Sequence, residues 1–264
     1  MQRLSPALIG LALASVGTSA CADDFPRLDA AWPTTVNIAA TYPVFDFDTD
    51  GCLPSAGISR SGAQNGGLAP SGSITGGCRK NNFMDYANTL HRHACITSGS
   101  DVYCGHFYAL YFLKDQATVF GGGHRHDWEH AAVWTRNGVV THAGYSAHGD
   151  LFNVAAASLP LDSNGHVKIV YHKDGVTTHA MRMAKVNEVA ENGYGQFVTP
   201  AIVSWYEVKG DGLTNEQMRS RLNSYDYGSG TIPMRDNNFL SNLNTYRPAG
   251  YPAFTQASIE ASKP

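Results

Sequence analysis

Residues 123–129, with the sequence GHRHDWE, place two histidines, an arginine and two carboxylates within seven positions. On an extended strand, alternate side chains share a face, so His124 and His126 would point one way while Arg125, Asp127 and Glu129 point the other. The imidazole face suits zinc or a similar borderline metal. The carboxylate face suits a hard cation such as Ca²⁺, Mg²⁺ or Mn²⁺. Spacing alone leaves the two interpretations in balance.

A third carboxylate, Asp115, favours the hard cation. The glycine run 121–123 lets the backbone fold sharply, which would bring Asp115 toward Asp127 and Glu129. The simplest alternative is a set of surface ion pairs, each worth ~0–1 kcal/mol. However, a half-buried carboxylate cluster without a cation would repel itself. We therefore predict an oxygen-rich cation site, to which the loop histidines His148 and His179 could add a ring or a backbone carbonyl.

Signatures of catalysis are sparse in this sequence. It contains no HExxH, no GxSxG and no phosphate-binding glycine loop. A metal-dependent hydrolase, with Glu129 as general base, is the enzyme alternative. The formal net charge of −3 provides no basic field and argues against nucleic-acid binding.

The elements that would position these residues are mostly strands. Asn137-Gly138 predicts a tight hairpin, because both turn positions need φ > 0. Thr214 and Gln217 form a capping box for a helix at 213–225, and Asp236 is the predicted cap of a second helix. Strands are expected at 106–113, 128–135, 139–147, 166–175, 178–185 and 196–208. We predict a mainly β, single-domain β-sandwich at 23–264 with a few short surface helices.

Residues 1–22 are predicted to be a secretory signal peptide. Arg3 precedes an apolar stretch from Ala7 to Val16, and Ala20-Cys21-Ala22 fits a small-x-small cleavage pattern. The apolar stretch is too short to span a bilayer. The alternative is a lipoprotein in which Cys21 carries the lipid. Export would place the protein in an extracellular, oxidising environment.

Four cysteines remain after removal of the signal segment, and three pairings are open to them. We favour Cys52–Cys78 and Cys95–Cys104, because the first closes the Gly/Ser/Asn-rich loop 51–81 and the second closes a turn-like segment. The spacing does not support a metal site built from these thiols.

The heptapeptide and its neighbours resemble the necrosis- and ethylene-inducing-protein-like family, secreted cytolysins of plant-associated microbes. The resemblance covers residues 30–250 and runs through ordered blocks. These blocks are FDFDTDGC (45–52), GGLAPSG…GGCR (66–79), YALYFLKDQ (108–116), HRHDWEHAAVW (124–134), YSAHGD (145–150), YHKDGVTTHAMR (171–182) and GTIPMRDNNF (230–239). An intact heptapeptide with ordered flanking blocks is a specific signal of membership.

The resemblance implies a β-sandwich like that of actinoporins and fungal fruit-body lectins, with a divalent cation in an acidic cavity. Carried over by position, Asp115, His124, Asp127 and Glu129 hold a cation, Ca²⁺ or Mg²⁺ with Mn²⁺ as a further candidate. His148, His179 and Arg125 are expected at the cavity, with Arg125 a candidate ion-pair partner of the carboxylates. The four cysteines match the two-disulfide branch of the family, which is associated with a second calcium site. Asp46, Asp48 and Asp50 are the candidates for that site.

The function that the resemblance implies is toxic and not catalytic. The protein would be monomeric in solution and would contact the plant plasma membrane peripherally, by binding the sugar headgroup of a glycosylated sphingolipid. Leakage, necrosis and an immune response would follow. The loop KDGVTTH (173–179) offers no aromatic ring to a sugar, and a non-cytolytic, lectin-like member is the main alternative.

Overall fold

The fold is described by a computed structural model that covers residues 23–264. The predicted signal peptide at 1–22 therefore lies outside the described residues. The strands are β1 (Val44–Phe47), β2 (Asn88–Ser98), β3 (Asp101–Thr118), β4 (Gly121–Arg136), β5 (Val139–Ala147), β6 (Asp150–Ala155), β7 (Lys168–Lys173), β8 (His179–Met183) and β9 (Ala201–Ser204). The helices are α1 (Asn215–Ser224), α2 (Phe239–Tyr246) and α3 (Gln256–Glu260), with short 3-10 turns at Phe83–Asp85 and Ala156–Ser158.

Two sheets form the body of the described chain. One has the strand order β6-β5-β4-β3-β2-β9, and the other has the order β1-β7-β8. Aromatic rings join them: Phe112 of β3 stacks on Tyr171 of β7 with centroids 3.8 Å apart, and Phe47 of β1 packs edge-on against Phe112. Burial of such rings is the main source of stability at a sheet interface. The predicted mainly β sandwich with short helices is confirmed.

The long β3–β4 hairpin folds sharply at its glycines, as the glycine run predicted. Gly121–Gly123 belong to β4, and Gly123 lies opposite Gln116 of β3. The three glycines have φ of 115°, 81° and 98°, values that residues with a Cβ rarely adopt. The backbone therefore curls sharply while it stays paired, and the turn itself falls at residues 119–120.

Of the other local predictions, two are confirmed, one is wrong and one strand is shorter than predicted. The Asn137-Gly138 turn is confirmed, with φ of 52° and 78°, and so is the capping box of Thr214 with Gln217 at the start of α1. The Asp236 cap is wrong, because α2 begins at Phe239 and the Asp236 carboxylate pairs with Arg92 at 2.8 Å instead. The segment 196–208 is a strand only at Ala201–Ser204. No helix among residues 23–264 is long and apolar enough to cross a bilayer.

Both favoured cysteine pairings are present. Cys52–Cys78 ties down the loop 51–81, and Cys95–Cys104 joins directly opposed positions of β2 and β3. The first bridge anchors the loop whose residues 66–73 contact the β3–β4 hairpin. It therefore contributes to the position of the hairpin that carries the heptapeptide.

Candidate functional site

An open cavity of about 460 Å³ lies beside the curled end of the β3–β4 hairpin. Strands β3 and β4 supply Asp115, His124, Asp127 and Glu129, and the start of β8 supplies His179. The β5–β6 turn and the segment 229–246 complete its walls. Residues far apart in sequence thus meet here because four strands end or bend at one place.

Three side chains converge at the base of this cavity. Asp115, His124 and Asp127 each present a ligand atom, and these atoms lie within 4.8 Å of one another. Asp115 and His124 are direct cross-strand partners. Simple alternation would place His124 and Asp127 on opposite faces, but His126 between them has a φ of 60°. This left-handed residue interrupts the two-residue period and brings His124 to the carboxylate side.

Asp115 is held in place by His179. The backbone N–H of His179 donates to Asp115 Oδ1 at 2.8 Å, and its ring Nδ1 lies 2.7 Å from the same oxygen. Burial lowers the pKa of His179, but the hydrogen bond and the charge of Asp115 outweigh it and the net shift is upward. His179 therefore orients one oxygen of Asp115 and leaves the other turned toward His124, 3.9 Å away.

Asp127 and Glu129 are buried acids on the same strand. The Tyr171 hydroxyl donates to Asp127 Oδ2 at 3.2 Å, and the Ser146 hydroxyl donates to Glu129. Burial and the charge of Asp115 raise the pKa of Asp127 to about 7. Burial and the charge of Asp127 raise that of Glu129 well above its usual range. Several buried carboxyl groups therefore lie close together at this cavity, and their ionised forms require a positive partner.

The donor set could hold a metal ion. Carboxylate oxygens with one imidazole, in a cavity open to water, are the ligands that Ca²⁺, Mg²⁺ or Mn²⁺ accept. The alternative histidine-faced site does not form, because the His126 ring turns away and its Nδ1 lies 2.7 Å from the Tyr111 hydroxyl. Asp115, His124 and Asp127 are the residues best placed to hold the cation, with Glu129 beside them.

The other predicted cavity residues fall in different places. His148 lies at the mouth of the cavity, in the β5–β6 turn, and its Nε2 pairs with Asp174 Oδ2 at 2.8 Å. Arg125 does not line the cavity and does not pair with the carboxylates. Its guanidinium donates to the backbone carbonyls of Gly66 and Gly67, at 2.7 and 3.1 Å. The expectation for Arg125 is corrected: it ties the hairpin to the loop 66–73.

The suggested second cation site at Asp46, Asp48 and Asp50 stays a prediction. Asp46, Asp48 and Asp50 are not a group whose carboxylate oxygens lie within 4.8 Å of one another. Asp46 accepts from the backbone N–H groups of Glu191 and Asn192, at 2.9 and 3.1 Å. Asp50 accepts from the Lys173 N–H at 3.2 Å. Asp48 Oδ2 pairs with Arg182 at 3.3 Å, and Asp48 Oδ1 is buried without a hydrogen-bond partner among the described residues.

Sequence reasoning missed two residues that touch the carboxylates, Ser146 and Tyr171. Both lie in strands that neighbour the site only in three dimensions, β5 and β7. A serine or tyrosine in a strand carries no sequence signal for such a contact. Only the sheet topology shows it.

We expect Gly123→Ala to destroy the geometry of the site. A Cβ at Gly123 would lie 2.2 Å from the Asp115 carbonyl oxygen, and its φ of 98° is strained for alanine. The matched control is Gly193→Ala, where a Cβ meets nothing closer than 3.9 Å. Isothermal titration with CaCl₂ should show at least tenfold weaker binding for Gly123→Ala and no change for the control. Equal binding by both variants would contradict the assigned site.

Comparison with known proteins agrees with this fold. The family model described as "Necrosis inducing protein (NPP1)" matches residues 37–246. The chain is 29% identical over 233 residues to NLP effector protein 10 of Phytophthora capsici, covering 81% of this chain and 86% of that protein. It is 28% identical over 212 residues to Necrosis-inducing protein NPP1 of Phytophthora nicotianae, covering 75% and 77%.

Solved structures share the architecture. A structure described as "Toxin fold as basis for microbial attack and plant defense" is similar at a TM-score of 0.66 and 25% identity, covering 83% of this chain and 94% of that one. "NLPPya in complex with mannosamine" is similar at a TM-score of 0.66 and 26% identity, covering 89% and 96%. The non-toxic HaNLP3 protein shares the fold at a TM-score of 0.65 and 24% identity, covering 86% and 99%.

Proposed function

Because this chain belongs to the necrosis inducing protein (NPP1) family, we propose that it is a secreted cytolysin of plant plasma membranes. It binds the sugar headgroup of a glycosylated sphingolipid through a divalent cation held by Asp115, His124, Asp127 and Glu129. Leakage, necrosis and an immune response follow. No catalytic step is required.

The observation that carries the proposal is the buried carboxylate cluster at an open cavity. Asp115, Asp127 and Glu129 are 2%, 4% and 8% exposed, yet all three line a space of about 460 Å³ that opens to solvent. Buried acids without basic partners are costly unless a cation or protons neutralise them. A cluster arranged in this way is best explained as a cation site that a ligand can reach.

Residues around this cavity orient the carboxylates that would hold the cation. His179 fixes the Asp115 carboxylate, and the Tyr171 hydroxyl fixes that of Asp127. His148 lines the cavity, and its contact with Asp174 joins the β5–β6 turn to the β7–β8 turn. A bound divalent cation would supply positive charge and open coordination positions for the hydroxyl groups of a sugar.

Two further observations support a sugar-specific membrane target. A relative of similar fold, NLPPya, has been solved in complex with mannosamine. The net charge of this chain is −3, so anionic lipid alone would not attract it. Recognition through specific headgroup contacts fits both observations better than general electrostatic attraction.

The tip of the β3–β4 hairpin suits contact with a bilayer. Phe120 is 99% exposed and Val119 is 54% exposed, and the same hairpin carries Asp115 and His124 at its curled end. Exposed aromatic side chains at a loop tip bury favourably at a membrane interface. The hairpin thus places an apolar tip a few residues beyond the cation site.

We expect Phe120→Ser to reduce dye release from vesicles containing the sphingolipid at least fivefold, without loss of Ca²⁺ binding. Removal of one apolar side chain from the interface weakens membrane contact, whereas the cation ligands stay intact. Val139→Ser is the matched control, since Val139 is 68% exposed at the far end of the hairpin strands. Similar losses for both variants would contradict a specific role for the tip.

A non-cytolytic, lectin-like function is the second candidate, and a non-toxic protein with the same fold keeps it open. Infiltration of leaves with purified protein decides between the two. The proposal predicts necrosis within the infiltrated area and none with Asp127→Asn. Sugar binding without necrosis would establish the lectin. Lipid mass spectrometry tests the hydrolase alternative, which predicts cleaved headgroups where a cytolysin leaves them intact.

A further inference from the structure

A second hollow, the aromatic groove, lies at the other end of the three-stranded sheet. Its volume is about 380 Å³, and its walls include Trp32, Tyr42, Asn164, His166, Gln196 and Phe197. Strand β7 begins beside the groove at Lys168 and ends at Lys173, which pairs with His179 of the cation cavity. At ~3.3 Å per residue, the six residues of this strand separate the two hollows by roughly 17 Å.

The aromatic wall of the groove is built from interlocked rings. Trp32 packs edge-on against Tyr42, with centroids 5.7 Å apart at 83°, and Tyr42 stacks on His166 at 4.0 Å. His166 is 6% exposed, and its Nδ1 bonds with the Tyr42 carbonyl at 2.8 Å. Asp162 accepts from the His166 N–H at 2.8 Å and so fixes the loop behind. The wall is therefore preorganised, which reduces the entropy cost of binding.

Trp32 is unusual among the four tryptophans of the chain. It is 44% exposed, whereas Trp128, Trp134 and Trp205 are 6%, 0% and 0% exposed. It also borders a neighbouring hollow of about 360 Å³ formed by the segment 33–38. An indole held between two hollows presents a flat apolar surface to solvent. Packing of the core does not require it there.

The rest of the groove lining combines apolar side chains, among them Val44, Met84 and Ile202, with four polar ones, Asp162, Asn164, Gln196 and Thr199. Asn164 and Gln196 contribute exposed side-chain amides, each of which offers donors and an acceptor. Within the described part of the chain, the groove lining contains no lysine or arginine. Beside the groove, Lys168 Nζ lies 4.1 Å from the centroid of the Phe197 ring and donates to the Glu188 carbonyl, whereas the Asp162 carboxylate in the wall disfavours an anion. The groove therefore fits a neutral ligand with an apolar face and hydroxyl edges.

We propose that the aromatic groove binds a neutral oligosaccharide. One sugar ring lies against the Trp32 indole, the hydroxyls beside it bond with the Asn164 and Gln196 amides, and the chain of sugars continues past Trp32 into the neighbouring hollow. A proline-rich peptide would also stack on aromatic rings. It offers no N–H at its prolines, however, and would leave the amide oxygens of the groove without donors. A sugar hydroxyl can accept from the NH₂ group of each amide and can donate to its carbonyl oxygen.

The test uses the full mature protein and tryptophan fluorescence. Because the other three indoles are buried, a change in emission on binding reports on Trp32. Cellohexaose, chitohexaose, mannohexaose and xylohexaose are titrated separately in 1 mM EDTA, so that the cation cavity does not contribute. The proposal predicts saturable binding of at least one of them. Asn164→Ala and Gln196→Ala should weaken that binding at least fivefold, and Asp127→Asn should leave it unchanged.

Calorimetry with Trp32→Ala supplies the second readout, and a loss of at least tenfold in affinity is expected. Absence of saturable binding by all four sugars would overturn the proposal. So would full affinity in Trp32→Ala, or binding by decaproline in place of the sugars. Asp127→Asn and EDTA prevent cation binding at the cavity but leave the aromatic groove intact. Absence of sugar binding at the groove and absence of cytolytic activity are therefore distinguishable results.

Discussion

Replacing Asp127 with asparagine is expected to abolish membrane leakage and, at the same time, to stabilise the cation-free protein. The carboxylate is 4% exposed and lines the same cavity as Asp115 and Glu129. Asparagine keeps an acceptor for the Tyr171 hydroxyl but removes the charge. Activity is lost and stability is gained because the negative charge of Asp127 is needed to bind the cation, but it destabilises the folded protein when no cation is bound.

The expected magnitude follows from linkage. The folded-state pKa of Asp127 is raised from 3.8 to about 7, so its carboxyl favours folding below pH 3.8 and loses that contribution as the pH rises toward 7. At pH 7.5 in EDTA, Asp127→Asn should raise the free energy of unfolding by roughly 2–4 kcal/mol. Saturating CaCl₂ should raise the melting temperature of the wild type and leave that of the variant unchanged.

Urea unfolding with and without CaCl₂ makes this measurement. Asp101→Asn is the matched control, because Asp101 begins β3 at the opposite end of the hairpin and pairs with Arg136 on the surface. That variant should lose less than about 1 kcal/mol and keep its response to CaCl₂. An Asp127→Asn protein that is less stable than the wild type in EDTA would show that the cluster is not electrostatically strained.

A group of buried histidines is expected to oppose folding increasingly as the pH falls from 6.5 to 4, whereas protonation of Asp127 acts in the opposite direction over this range. His91, His93 and His106 lie side by side on β2 and β3, 0%, 1% and 2% exposed, with ring centroids 5.5 Å apart. His91 Nε2 lies 3.2 Å from His106 Nδ1, and the Nδ1 atoms of His91 and His93 have no partner among the described residues. Three buried imidazoles packed together must stay neutral.

The contribution of these histidines is destabilising on the acid side. Burial, with a smaller contribution from the nearby Arg92 charge, lowers the pKa of His93 from 6.5 to about 4. Burial and neighbouring imidazoles lower those of His91 and His106 well below 6.5. The unfolded chain therefore binds more protons below pH 6.5, and His93 alone removes ~3 kcal/mol by pH 4. Such losses approach the stability of a typical domain.

A urea series at several pH values in EDTA checks this expectation. His93→Gln should reduce the slope of unfolding free energy against pH by about one proton, or ~1.4 kcal/mol per pH unit, between pH 6 and 4.5. Thr35→Val is the control, because it removes the 3.2 Å hydrogen bond to His93 but leaves the imidazole in place. It should lower stability at every pH and keep the slope. An unchanged slope in His93→Gln would refute the assignment.

The sequence predicted the features that depend on local chemistry. The Asn137-Gly138 turn and the Thr214 capping box are set by short-range backbone requirements. Both disulfides follow from loop composition. The heptapeptide and its flanking blocks predicted the family, which the family model confirms. Carboxylates at i and i+2 on one strand also placed Asp127 and Glu129 together, as the structure has them.

The sequence could not predict features that depend on sheet packing or on single backbone angles. The φ of 60° at His126 brings His124 to the carboxylate side, and a histidine in the sequence does not predict a positive φ. The contacts of Ser146 and Tyr171 arise from neighbouring strands. The histidine group on β2 and β3 is not predictable from the sequence either, because His93 and His106 become neighbours only through the strand register.

Dye release from vesicles is the most direct test of the central claim, that a cation held by the carboxylate cluster links this protein to a sugar headgroup. Vesicles with and without a plant glycosylated inositol-phosphoryl-ceramide are compared in CaCl₂ and in EDTA, for the wild type and Asp127→Asn. The account predicts release only by the wild type, only in CaCl₂ and only from vesicles that contain the sphingolipid. Release that persists in EDTA, or in Asp127→Asn, would contradict it.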